Sequence, residues 1–323
     1  GVADSASEGA VEREAFRDRP KLRPGDIVEA VPGVVATQHS GDGKANQYFL
    51  RGFNLDHGTD FAVTVDGMPV NMPTHGHGQG YADLNFLIPD LVSGVRYRKG
   101  PYFADSGDFS LAGSASLDYL SALDAPFIET TLGANRLRRL LAAGSRTRDD
   151  QTWLGAIELE GNDGPWDVPE RLRKVNAVVR YSQGSPAQGF HITGMAYRSH
   201  WTSTDQVPER LIDSGELPRF GSLNPTDGGS TRRLSLSGKW FNNGPQGRTQ
   251  ISAYAIDYRF ALFSDFTYFL NNPAQGDQFE QTDRRRVFGL QATHSMPQPI
   301  AGLDGQLSWG AQWRGDRIAE VGL

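Results

Sequence analysis

Residues 126–323 carry one pattern over and over: apolar side chains at every second position, for stretches long enough to be strands. In Val175–Tyr181 the positions Val175, Ala177, Val179 and Tyr181 are apolar, while Asn176 and Arg180 on the other parity are polar. The same alternation runs through Trp153–Leu159, Leu234–Trp240, Tyr254–Phe260 and Leu307–Trp313. About nine such stretches occur. Short polar turns at 146–150, 184–189 and 242–247 take turns with long segments at 161–171, 201–229 and 263–283. That spacing predicts an antiparallel meander with tight turns on one rim and long loops on the other, the layout of a membrane-spanning β-barrel. A soluble β-sandwich or propeller also alternates, so this half alone leaves both open.

Composition narrows the choice. No run approaches the roughly 20 apolar residues of a spanning helix, so a helical membrane protein is excluded. The chain of 323 residues has no cysteine, which removes disulfide scaffolds, thiolate metal sites and cysteine nucleophiles together. Any metal must be held by His, Asp or Glu. Residues 1–125 hold 10 Lys/Arg against 17 Asp/Glu, while the remainder is close to neutral. Neither part has a basic stripe, so no nucleic-acid partner is expected.

The division expected is a short extension over 1–19, an α+β unit over 20–125 and the meander over 126–323. Pro24-Gly25-Asp26 opens a short helix that Asp26 is placed to cap and that Pro32-Gly33 stops. Strands are expected at 34–38, 47–52, 61–65 and 92–99, separated by glycine-rich loops.

The order of motifs in this unit resembles the plug of the TonB-dependent outer-membrane receptors. The residues are Glu29-Ala30-Val31-Pro32-Gly33-Val34, Phe49-Leu50-Arg51-Gly52-Phe53, Val65-Asp66-Gly67-Met68-Pro69-Val70 and Val95-Arg96-Tyr97-Arg98-Lys99-Gly100-Pro101. A segment from Asp105 to Leu117 then replaces the family's usual glycine turn pairs. Each piece is weak singly, but their order over about a hundred residues, followed at once by an amphipathic meander, is specific. The resemblance implies a plug filling a 22-stranded transmembrane barrel, of which about nine strands are present, so the chain is expected to be a fragment. A signal segment and the short box that engages the energy-coupling protein are expected upstream. Gly33, Gly52, Gly67 and Gly100 stand where tight turns need a missing Cβ, with Pro32 and Pro101 beside two of them. Arg51 and Asp66 are expected to be scaffold charges, paired inside the plug or against the barrel lumen.

In the family, three plug loops meet the ligand first. By position they correspond to 39–46, 54–60 and 71–83, and four of the seven histidines fall in them: His39, His57, His75 and His77. The candidate ligand-contacting residues are His39, Asp42, Lys44, Asn54, Asp56, His57, His75, His77, Gln79 and Tyr81. Imidazoles and carboxylates suit a borderline metal without thiolates, and His75-Gly76-His77 is the candidate metal pair. The same groups could hydrogen-bond an anionic or polyhydroxylated ligand. Gly41-Asp42-Gly43-Lys44 is followed by Ala45 where a phosphate-binding loop needs Ser or Thr, and no nucleophile elbow surrounds Ser40, so neither nucleotide binding nor catalysis is expected.

The resemblance implies a gated importer in the outer membrane of a Gram-negative bacterium, not an enzyme. It is expected to hold no cofactor beyond a transient metal or chelate as cargo, with iron-siderophore complexes the leading class and a saccharide or aromatic nutrient the alternative. Its partners would be the TonB-ExbB-ExbD energy-coupling complex, the cargo and outer-membrane lipid. A combined signalling and transport receptor is a further alternative.

Overall fold

Two Gly-turned hairpins set the geometry of the N-terminal unit. Arg51 and Gly52 both take positive φ (53° and 82°), as do Asp66 and Gly67 (50° and 81°). Two successive left-handed residues make the type I′ turn whose twist matches that of paired strands. The computed structural model describes residues 5–20, 23–38, 40–265, 267, 269–299 and 301–323.

The N-terminal unit contains β1 (Glu8–Glu12), β2 (Val34–Thr37), β3 (Gln47–Leu50), β4 (Phe53–Asn54), β5 (Phe61–Val65), β6 (Met68–Pro69), β7 (Val92–Lys99) and β8 (Gly113–Tyr119). They form a three-stranded sheet, β2-β3-β4, and a five-stranded sheet in the order β1-β7-β8-β5-β6. Phe61, Val63 and Val65 of β5, with Leu87, Ile88, Leu91, Val92 and Val95, close an apolar core. All four plug-motif glycines have positive φ, as their positions demand.

Three expectations need correction here. Residues 1–19 are not simply an extension, because β1 pairs antiparallel with β7 and extends the five-stranded sheet; five residues of weak pattern give little sequence signal. The segment from Asp105 to Leu117 is not only turns, since it runs into β8, which pairs parallel with β5 and antiparallel with β7 at the middle of that sheet. The helix at Pro24–Ala30 is 3-10, its N-cap is Arg23, and Asp26 accepts from Arg23 Nε at 3.1 Å instead of capping. Pro24-Gly25 at its start and the β-branched pair Ile27-Val28 disfavour α-helical winding.

The remaining strands are β9 (Phe127–Leu132), β10 (Arg138–Arg148), β11 (Gln151–Asn162), β12 (Leu172–Gly184), β13 (Gln188–Thr202), β14 (Gly228–Gly244), β15 (Gly247–Ser264), β16 (Phe279–Pro297) and β17 (Gln306–Gly322). They pair antiparallel in sequence order as one nine-stranded sheet. Tight turns join β10–β11, β12–β13 and β14–β15; long loops join β11–β12, β13–β14 and β15–β16. The sheet is turned inside out relative to a soluble protein. Trp153, Val179 and Leu236 are more than half exposed, while Glu158 and Asn176 on the opposite parity are fully buried. The apolar side faces outward, as a lipid-facing wall requires, and the polar side faces the plug.

Strand β15 departs from this rule. Ile256, Tyr258, Phe260 and Leu262 are buried against the plug, and Arg259 points out. Alternation shows that a strand has two faces without saying which one meets the plug.

Polar contacts join the two parts from β10 to β17. Arg139 bonds Asp90 at 2.6 Å and Glu158 at 2.6 Å. Asp66 accepts from Arg180 at 2.6 Å and from the Tyr119 amide at 3.2 Å, so its expected pairing against the lumen is realised. Arg51 stays exposed on the first position of its turn. Asn176 donates to the carbonyls of Asn85 and Leu87, and Arg314 donates to the carbonyl of Asn71 at 2.8 Å.

Candidate functional site

The three plug loops meet one another on the long-loop side of the sheet. Asn71 is their hub. Its amide nitrogen donates toward the carbonyls of Gly58, Phe61 and Gly80 (2.9–3.1 Å), and its oxygen accepts from the Val63 amide at 2.8 Å. The Ala45 amide donates to the Tyr81 hydroxyl at 3.0 Å, the Ala82 amide to the His57 carbonyl at 2.7 Å, and Thr59 to the Gln79 carbonyl at 2.9 Å. The loops therefore act as one body.

Inside that body, His57, His75, His77 and Tyr81 form a layer of rings. His75 stacks on Tyr81 at 4.0 Å between centroids and 3° between planes. The His57 and His77 rings meet edge to face at 4.8 Å, with their Nε2 atoms 3.1 Å apart. The barrel wall completes the layer: Tyr258 Oη lies 3.1 Å from His75 Nε2, Gln281 Oε1 lies 2.7 Å from His77 Nδ1, and Phe260 packs against His75. His57 Nδ1 faces the Asn46 carbonyl at 3.0 Å.

Burial dominates the electrostatics. It holds His75 well below the ordinary imidazole range, with Arg285 adding to the effect. His77 is pushed down to about 3 by burial, by Lys44 and by His57. Lys44 is itself pulled down to about 8 by burial, against the charges of Asp205 and Asp56. Above this layer the long loops bring in carboxyl groups. Glu170 rises to about 8 through burial and the neighbouring Asp42, and Asp227 rises to about 7 through burial and the charges of Asp205 and Asp265. The mouth over the histidines thus holds carboxyl groups that burial and mutual repulsion bias toward their neutral form.

The candidate residues fall into two sets. Lys44, His57, His75 and Tyr81 are buried, and His77 is partly so. Asn54, Asp56 and Gln79 are exposed, and Asp42 is half-buried, accepting from Asn162 at 2.7 Å. His39 lies outside the described residues. The candidate pair His75 and His77 does not present two free nitrogens: His75 Nδ1 accepts from the His77 amide at 3.1 Å and its Nε2 is engaged by Tyr258. Among the described residues no three His, Asp or Glu side chains are grouped to hold a metal ion.

Sequence reasoning missed the wall's share of this site. Gly43 packs so closely on Trp201 that an added Cβ would stand 1.9 Å from its ring, and the Gly41 amide donates to Ser203 at 2.8 Å. Gln281 donates to the Gly76 carbonyl at 2.9 Å, and Arg285, paired with Asp283 and Asp316, donates to the Thr74 carbonyl at 2.5 Å. The inward Tyr258 and Phe260 were visible as an alternation, but their side of the sheet was not.

Comparison with known proteins agrees with the motif order. Residues 3–114 match the family model described as TonB-dependent Receptor Plug Domain. The whole chain is similar in fold to the ferric enterobactin receptor of Pseudomonas aeruginosa (TM-score 0.67, 13% identity, 99% of this chain and 51% of that one). It is similar also to an unliganded ferric citrate transporter (0.74, 14%, 97% and 49%) and to a copper transporter (0.69, 14%, 97% and 47%). The chain spans about half the length of these structures. The family resemblance, and the fold of a plug with part of a β-barrel, are borne out.

Proposed function

We propose that this chain, a TonB-dependent receptor plug joined to nine strands of the receptor barrel, serves to capture a scarce nutrient at the cell surface and admit it to the periplasm. The observation that carries the reading is the fusion of the three plug loops into one body beneath the long-loop rim, held to the wall by polar contacts. Polar contacts of this kind can be exchanged for others as the plug shifts, with the apolar side chains of β15 as the part of the wall that it must slide past. The outer membrane has no ATP, and the force on the plug is supplied by the TonB-ExbB-ExbD complex of the inner membrane. The protein is a gated binder rather than an enzyme. For ligand to trigger opening, it must bind the two plug states unequally.

A metal or metal complex is the favoured cargo. The iron and copper proteins of similar fold support the class. Placement in the outer membrane is supported by the apolar outer face. It is supported too by a row of outward arginines on neighbouring strands near the long-loop end, Arg198, Arg232, Arg259 and Arg284. Like charges so close repel, and the anionic head groups of the outer leaflet would bridge them.

The reading is tested by uptake of labelled zinc, copper, nickel and ferric chelates in cells carrying or lacking the full-length gene. Accumulation of one metal should depend both on the gene and on TonB. Equal uptake of every metal with and without the gene would overturn the metal cargo, and growth on single saccharides or aromatic compounds would then identify the nutrient.

A further inference from the structure

We propose that four outward arginines on neighbouring wall strands, Arg198, Arg232, Arg259 and Arg284, form a docking site for one outer-leaflet lipid whose head group carries two phosphate monoesters. The inference rests on the outer-membrane placement argued above and deepens it by naming one partner, in fixed number, for that face.

The four residues are successive rungs of one ladder. Arg198 lies directly opposite Arg232, Arg232 opposite Arg259, and Arg259 opposite Arg284. Each stands on the parity that turns away from the plug, and each is exposed. Cβ atoms so placed are about 4.5–5.5 Å apart, a spacing at which like charges destabilise a sheet. Among the described residues none of the four forms an ion pair or a hydrogen bond. The acidic neighbours do not neutralise the row: Asp257, two positions before Arg259, is bonded to Arg286 at 3.3 Å, and Glu320, at the register position opposite Arg284, forms no ion pair with it.

The row also stands at a defined height. On β13 it is eight residues from Phe190, which belongs with Trp153, Tyr181 and Trp240 to a belt of rings near the tight turns. At about 3.3 Å per residue and a strand tilt of about 40°, the two levels are about 20 Å apart along the membrane normal, near the roughly 25 Å height of a lipid-facing band. The outward residues between them are apolar: Ile192, Gly194 and Ala196 on β13, and Leu234, Leu236 and Gly238 on β14. The arginines therefore stand where the apolar wall gives way to head groups. Arg173, His200 and Ser230 lie one outward position farther along their strands and add donors on the head-group side.

Span and charge select the ligand. Strands lie about 4.8 Å apart, so four rungs extend about 14 Å, farther than one phosphate reaches. Four guanidinium groups carry four positive charges, and a phosphate monoester carries about −1.5 to −2. Two monoesters balance the row, each held between two arginines by the paired hydrogen bonds that a planar guanidinium favours. A phosphodiester head group, with a single charge, leaves most of the row uncompensated.

The test is lipid binding by the full-length receptor in phosphatidylcholine nanodiscs. The probe is lipid A, a diglucosamine lipid bearing two phosphates, and the comparison is its monophosphoryl form. Native mass spectrometry should show one bisphosphoryl lipid retained per receptor. Arg232→Gln and Arg259→Gln should each weaken its binding about 5-fold, and together about 25-fold; the monophosphoryl form, which leaves two arginines unmatched, should bind the unaltered receptor about 25-fold more weakly. Arg148→Gln, exposed beside the tight turn at the opposite rim, should change nothing, and excess inorganic phosphate should not displace the lipid. Equal binding of the two lipids, equal loss in Arg148→Gln, or displacement by inorganic phosphate overturns the proposal. A bisphosphoryl preference in a receptor whose cells import no nutrient would sink the uptake reading and leave the lipid site standing. Uptake that depends on the gene, with the two lipids bound alike, would do the reverse.

Discussion

The plug and the wall are written in the same period-2 alternation and obey opposite rules. In the plug, Phe61, Val63 and Val65 of β5 turn inward and are fully buried. In the wall, Val175, Val179 and Leu236 turn outward, while Asn176, Arg180 and Ser237 are buried against the plug. The alternation states only that two faces differ. Which face is covered depends on whether the surrounding medium is water or lipid. The contrast also puts polar contacts on most of the interface between the two parts, with β15 as the apolar exception.

Removing one partner of a buried ion pair should break the comparison most severely. Asp66→Ala leaves Arg180 buried between plug and wall without its carboxylate, and should cost about 3–5 kcal/mol in denaturant unfolding of the folded receptor. Asp66→Ala combined with Arg180→Met should cost less than the two single changes summed, which a double-mutant cycle reads directly. Next comes the outer face. Leu236→Arg at the middle of β14 should cost about 2–4 kcal/mol in lipid vesicles, and Ser237→Ala one position on, facing inward, should cost little. Equal costs at the two positions would refute the assignment of faces.

Acid has a smaller effect, with a definite sign. His77 is held near 3 in the folded protein against 6.5 when unfolded, so the unfolded chain takes up the proton first. The contribution of His77 to stability should therefore be complete above about 6.5 and fall as pH drops from there toward 3. The loss is at most about 1.4 kcal/mol for the first unit, and His77→Gln should remove it. Smallest is the turn at 66–67. Gly67→Ala should cost about 1 kcal/mol through its positive φ alone, because the nearest atom a Cβ would meet, Ser252 Oγ, is 3.5 Å away.

Much of this could be read from residues. The strands at 61–65 and 92–99 fall where β-branched runs between glycines place them, and the alternation of short and long connections is the observed rim pattern. Gly33, Gly52, Gly67 and Gly100 all need the left-handed backbone that their motifs imply. Strand β8 was hidden because Gly113–Tyr119 is rich in Ser, Ala and Gly, and gains its place only from β5 and β7 on either side. At the candidate site the histidine-bearing loops were legible. Their depth was not, since His57 and His75 are covered by residues as distant as Tyr258 and Phe260.

By itself, the sequence determined local conformation and chemistry: turn glycines, strand periods, the lack of thiols, and four imidazoles in three loops. These depend on neighbours along the chain. Tertiary structure alone decided which face of β15 meets the plug, that Asp66 finds Arg180 while Arg51 finds solvent, and that His77 joins His57 rather than His75. Those outcomes depend on side chains that can lie some two hundred residues apart, brought together by one wall folded around one plug.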